Sequence, residues 1–258
     1  MKKLDYCVLG LAACAAAGLR VGQMLTGFDA DGLPVPGNLF ALLLPVLLVM
    51  SAAFFAVRAR KLPALREDGE GLVLEQSFRF SGNKAALLCT VTGAFLVVAS
   101  AAAALAGYSQ GLRLPLLSVA SAVAGLSLLY VVFALSGGKP VQGGALLLPV
   151  CVLIVYLILL YRSDASNPVL GQIYIEILAA ASLTLGTLEL AGFAFHCGAP
   201  RVFMPCCAMV PILLLALAAE RRSFSSLLLC LGCALLALGF LLAAEMKEAP
   251  KAAEAPTE

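Results

Sequence analysis

Eight long apolar blocks, separated by short polar stretches, dominate the chain: about 4–25, 39–57, 85–107, 115–135, 145–161, 170–195, 202–219 and 225–244. A hydrocarbon core about 30 Å thick takes about 20 helical residues, with a range near 17–25, so the blocks have crossing length. Backbone polar groups that face lipid must be satisfied within their own segment, which favours helices, and no run of about ten alternating residues points to a barrel. The expected fold class is all-α, a polytopic transmembrane helix bundle of about eight spanning helices. It forms one domain over 1–244, with a polar loop at 58–84 and a tail at 245–258. That tail, built from Ala, Pro, Lys and Glu, is expected to be disordered and cytoplasmic.

Composition agrees. Of 258 residues, 62% are hydrophobic and 12% charged, with a mean hydropathy of +1.01, against about 45–50% apolar residues in soluble domains. A net charge of +2, with the cations in loops rather than on one face, gives no footprint for nucleic acid.

Charge placement sets the expected orientation. With the N-terminus in the cytoplasm, twelve cations lie inside: Lys2, Lys3, Arg58, Arg60, Lys61, Arg66, Arg79, Lys84, Lys139, Arg201, Lys247 and Lys251. Four lie outside, Arg113, Arg162, Arg221 and Arg222. The positive-inside rule therefore predicts a multi-pass protein of the cell membrane with both termini cytoplasmic. A rival reading of the first block exists, because Leu11, Ala12, Ala13 and Cys14 have the form of a lipoprotein cleavage site behind Lys2 and Lys3. Its apolar region would be short and contains Asp5, and cleavage at Cys14 would leave every later loop on the same side.

In the first outer loop, 26–38, the residues Asp29, Asp31, Gly32, Pro34, Pro36 and Gly37 break helix, and the two carboxylates read as solvated turn residues rather than a cation site. Past the second block, Arg58, Arg60, Lys61 and Arg66 are placed to attract anionic lipid headgroups. Farther along the same loop, Leu72, Leu74, Gln76, Phe78 and Phe80 alternate with Val73, Glu75, Ser77 and Arg79, which predicts a short extended or interfacial segment. Gly18 with Gly22, Ser121 with Gly125, and the small residues at 100–104 allow close helix approach, whether to the same chain or to a partner. The run Ala-Leu-Leu-Leu-Pro-Val at 41–46 recurs at 145–150, the faint signature of an inverted repeat, although neighbouring segments do not keep register.

Ionisable residues inside the blocks are Arg20, Glu176 and Glu189. A charge near the bilayer centre costs about 2.5–3.5 kcal/mol on insertion scales, so each must be paired, neutralised or wet. Arg20 and Glu176 lie at similar depth below the outer surface. They form the natural candidate pair, with Gln23 and Gln172 completing the hydrogen bonding. Glu189, thirteen residues beyond Glu176, points to nearly the opposite side of its helix, so the two are not a catalytic pair. Its expected partners are Ser51, Thr90 or Tyr130 on other helices at the same depth.

His196, Cys197, Cys206 and Cys207 flank one inner turn and Cys230 with Cys233 form a C-x-x-C, but the spacing matches no standard metal site. The nine cysteines read as buried thiols, and no metal or cofactor is expected. H-E-x-x-H, G-x-S-x-G and G-x-x-x-x-G-K-[ST] are missing from the sequence, and it holds a single histidine.

The 26–38 loop, the entry Phe80, Ser81, Gly82, Asn83, the turn Asn167, Pro168, Val169, Leu170 and the run Leu190, Ala191, Gly192, Phe193, Ala194, Phe195 carry a resemblance. Together they resemble a group of uncharacterised multi-spanning membrane proteins of clostridia-like bacteria. The resemblance touches short motifs along most of the length and implies a bacterial inner membrane, but no known activity. In that group the position of Glu189 is more often aromatic, which argues against an essential acid there. Small-residue packing and the missing catalytic sets give the leading expectation, a non-enzymatic accessory or sensory membrane component. The alternative is a small-solute transporter using the Arg20/Glu176 pair, motivated also by Pro45, Pro149 and Pro211 within helices. A membrane enzyme ranks third.

Overall fold

The structure, a computed structural model, describes residues 3–27, 35, 37–62, 74–80, 82–106, 113–164, 170–220 and 223–245. Nine helices are present among them: α1 (Lys3–Thr26), α2 (Leu39–Ala59), the single turn α3 (Leu74–Ser77), α4 (Lys84–Ala106), α5 (Arg113–Ser136), α6 (Gly143–Asp164), α7 (Leu170–Ala194), α8 (Pro200–Ala218) and α9 (Phe224–Ala243). All but α3 are long and apolar enough to cross a membrane, eight in number, as the eight apolar blocks require. Asp29, Asp31, Arg66 and the tail beyond Glu245 lie outside the described residues.

Helix starts follow local chemistry. Asn38 caps α2 by accepting from the Ala41 N–H (3.1 Å) and Asn83 caps the start of α4 by accepting from the Ala86 N–H (3.1 Å). Within α6, Pro149 cannot donate to the Ala145 carbonyl, and the Ser127 hydroxyl of α5 donates to that freed oxygen instead.

Direct contacts gather one set of ends on a common face. Arg58 at the end of α2 grips Asp5 of α1 through Nε (2.8 Å) and Nη2 (3.1 Å), and the Tyr6 hydroxyl donates to the Leu241 carbonyl of α9 (3.0 Å). Arg201 of α8 donates to the Leu62 carbonyl (2.9 Å). This loop face therefore holds the start of α1, the ends of α2 and α9, and the α7–α8 turn. α1 runs unbroken through Cys14, with Asp5 and Tyr6 of its first turns tied into the bundle.

Laterally, α4, α5, α6, α7, α8 and α9 each pack on the next, and α9 closes back on α4 to make a ring of six. α1 and α2 lie outside it, both against α8, the most enclosed span. Units two to four and five to seven of the suspected repeat are not equivalent: α2 packs on α1 and α8, whereas its counterpart α6 packs within the ring on α5 and α7.

The tightest seam joins α4 to α9, where glycines let the backbones touch. A Cβ on Gly93 would stand 2.7 Å from the Gly232 carbonyl oxygen, and one on Gly232 would stand 2.8 Å from the Gly93 oxygen. In lipid, where apolar side chains gain nothing from leaving water, such backbone contact supplies the packing that holds helices together. Of the small-residue pairs visible in the sequence, Gly125 does face Val97, Val98 and the Ala94 oxygen, and Gly22 faces the Phe40 ring; Gly18 has nothing within 4 Å.

Where alternation predicted a short extended or interfacial segment in the 58–84 loop, residues 74–77 coil into one helical turn, and Phe78 makes an isolated antiparallel bridge to Ala244. The physical reason is tertiary. Leu74, Phe78 and Phe80 are buried beneath the ring, and Phe78 meets Phe193, Phe203 and Phe240 edge to face at 5.3, 5.3 and 6.1 Å between centroids. Backbone bonds from Arg79 N–H to the Ala243 carbonyl and from Glu245 N–H to the Ser77 carbonyl, both 2.9 Å, hold the segment to the end of α9.

Candidate functional site

Buried positions on α1 recur at three- and four-residue steps, Asp5, Leu9, Ala12, Ala13, Ala16, Arg20 and Gln23, so Arg20 points into the bundle rather than outward along the helix. Its guanidinium is fully buried. Nε and Nη2 donate to Glu220 Oε1 at 2.8 and 2.5 Å, and Nη1 donates to Gln23 Oε1 at 2.9 Å. Glu220 follows α8, and its side chain is 11% exposed.

The expected Arg20 partner, Glu176, is engaged elsewhere: its Oε1 accepts from the Tyr156 hydroxyl of α6 at 2.6 Å. Depth alone matched Arg20 with Glu176, but α1 packs on α8, which brings the Glu220 carboxylate at the end of α8 to Arg20. Gln172 belongs to α7, but its side chain lies outside the described residues. Glu220 was missed because it stands in the polar turn with Arg221 and Arg222, where a carboxylate reads as solvated. The available signal was the buried arginine itself, which demands a counter-charge from some helix end on that face.

Glu189 also has a partner the sequence did not suggest. α8 begins at Ala199, whose side chain can cap nothing, and Glu189 Oε2 accepts the Ala199 N–H at 2.8 Å. A carboxylate on the first N–H groups of a helix is held by both the hydrogen bond and the helix dipole. Ser51 and Thr90 instead bond carbonyls of their own helices, and Tyr130 is exposed, so none of the three expected partners takes that role.

On the loop face, Arg58 is committed to Asp5 and only 20% exposed, while Arg60 and Lys61 are exposed. Among the described residues no three His, Cys, Asp or Glu side chains converge as metal ligands. His196, at φ 61, forms the α7–α8 turn beside exposed Cys197.

Inside the six-helix ring lies a cavity of about 90 Å³. All six helices contribute to its wall, with Val97, Leu128, Pro149, Leu190, Val210 and Leu236 among the lining residues. Among the described lining residues the polar groups are Ser121, Thr187 and the thiols of Cys207 and Cys233, and the Ser121 and Thr187 hydroxyls donate to carbonyls of their own helices, Ser118 and Leu183.

Fold and site define the class: an integral, multi-pass helical membrane protein, with buried charges paired at the seams between helices and an apolar hollow within its ring. Beyond the class, comparison with known protein families, curated proteins and solved structures gives no match.

Proposed function

We propose that the chain is a non-enzymatic accessory or sensory component of a bacterial cytoplasmic membrane, with both termini and the 58–84 loop in the cytoplasm. The observation that supports this reading most is the division between charge and cavity. Asp5, Arg20, Glu176 and Glu189 each join one helix to another, while apolar side chains surround the centre of the ring. A carrier of polar solutes, or an acid/base catalyst, needs its ionisable groups turned toward that centre. Exposed Arg60 and Lys61, together with Arg66, supply contacts to anionic headgroups worth about 1 kcal/mol each; Arg58 contributes mainly through Asp5.

The second reading, a small-solute transporter, draws on Pro149 in the cavity wall. Proteoliposomes decide between the two. Uptake of labelled amino acids, sugars and inorganic ions should stay at the level of empty vesicles; uptake of any of them that is lost in Glu176→Gln would replace the accessory reading with transport. Orientation is tested by Lys61→Cys in intact cells. A membrane-impermeant maleimide should reach that thiol only after permeabilisation, and labelling of intact cells would reverse the proposed orientation.

A further inference from the structure

Two side chains belong both to the cavity and to the support of the loop segment. Phe203 and Phe240 line the end of the cavity nearest the loop face, and the same two rings hold Phe78 edge to face. There the wall is closed: Leu128, Leu190, Phe203 and Phe240 are all buried. Toward the other face it is looser, with Ser121, Leu183 and Leu229 half-buried. The shape is a partly open apolar pouch, one end of which is built from the two rings that hold Phe78.

The chemistry of the wall selects the occupant. A trapped water needs two to four polar partners, and among the described lining residues the Ser121 and Thr187 hydroxyls already donate to their own helices, which leaves water little to bond. A polar solute entering it would lose its hydration with nothing in return. At about 90 Å³ it is smaller than the roughly 150 Å³ apolar cavity that accepts benzene, so it suits the narrow end of a chain rather than a ring system. The fluid surrounding the helices at this depth is made of such chains.

We propose that the pouch takes the terminal carbons of a phospholipid acyl chain, and that occupancy presses on Phe203 and Phe240 and so steadies the 74–80 segment against the ring. This rests on the sensory reading above and gives it a ligand and a responding element. Because its test follows lipid and loop rather than solute uptake, it can fail while that reading stands.

The experiment uses the full chain in nanodiscs containing phosphatidylglycerol with a diazirine at the chain end, with crosslinked residues mapped by mass spectrometry. Leu128, Val210 and Leu236 in the pouch should label several-fold above the outward-facing Phe95, Leu126 and Phe133. Ser121→Phe or, should that variant fail to fold, Leu229→Trp should bring pouch labelling down to the outer level without changing the outer labels. Backbone hydrogen exchange at 74–80 should be faster in diphytanoyl lipid, whose branched chains are too wide, than in straight-chain lipid, and the blocking variant should erase that difference. Equal labelling of pouch and outer positions overturns the site. Pouch labelling by a photoreactive polyprenol but not by the acyl probe overturns the choice of phospholipid. Exchange at 74–80 that ignores both the lipid and the blocking variant overturns the coupling.

Discussion

Arg20 and Glu220 stand 200 residues apart in sequence and share a two-pronged contact, Nε and Nη2 of the guanidinium meeting one carboxylate oxygen at 2.8 and 2.5 Å. The pair pins α1, which lies outside the six-helix ring, to the far end of α8. Because the arginine is fully buried, removing either partner strands a charge. Arg20→Glu or Glu220→Arg alone should destabilise the folded protein by about 3–5 kcal/mol. The double exchange should recover much of that loss in thermal unfolding in detergent, whereas pairing Arg20→Glu with Glu176→Arg should not; rescue by the second combination would restore the depth-based partner.

The Glu189 contact predicts a graded response. Glu189→Gln keeps an acceptor for the Ala199 N–H and loses only the charge, costing about 0.3–1 kcal/mol. Glu189→Leu removes the cap and should cost about 1–2 kcal/mol. Equal stability of the two variants would mean that the bond to α8 contributes nothing.

At the α4–α9 seam the backbones are too close for any side chain on Gly232. Gly232→Val should force the helices apart and destabilise by about 1–3 kcal/mol. Gly10→Ala, at a position with nothing within 4 Å, should be neutral or slightly stabilising. Comparing their melting temperatures in one detergent separates seam packing from a general intolerance of glycine replacement.

Phe78 touches three rings from three helices, α7, α8 and α9. Phe78→Ala should cost about 3–5 kcal/mol if the segment is as firmly seated as its burial implies. It should also expose 74–80 to limited proteolysis from the loop face, while Arg79→Ala, at an exposed position whose 3.9 Å contact with Glu245 is solvated, should leave cleavage unchanged.

How much of this was legible beforehand depended on whether a feature is one-dimensional. The eight spans were readable because crossing length and apolarity are properties of contiguous residues. Arg20 was readable as a buried charge for the same reason. Its partner was not, since depth can be counted along each helix but the lateral order of helices cannot. Glu189 was visible as an anomaly, yet its role depended on α8 starting at Ala199 within reach, with no capping side chain of its own. The alternation around Phe78 signalled a short extended or interfacial segment, and the aromatic cluster instead determined how its backbone lies.

By itself, then, the sequence determined that this protein is a helical bundle of membrane spans, because the demand of hydrocarbon for internally satisfied backbone acts on each segment alone. Only the tertiary structure decided which spans are neighbours, which carboxylate answers Arg20 and that six helices enclose an apolar hollow. Between helices in lipid the contacts that choose partners are sparse and specific: a glycine seam, the ion pairs Arg20–Glu220 and Arg58–Asp5, and the Ala199 N–H held by Glu189. They leave no periodic pattern along the chain.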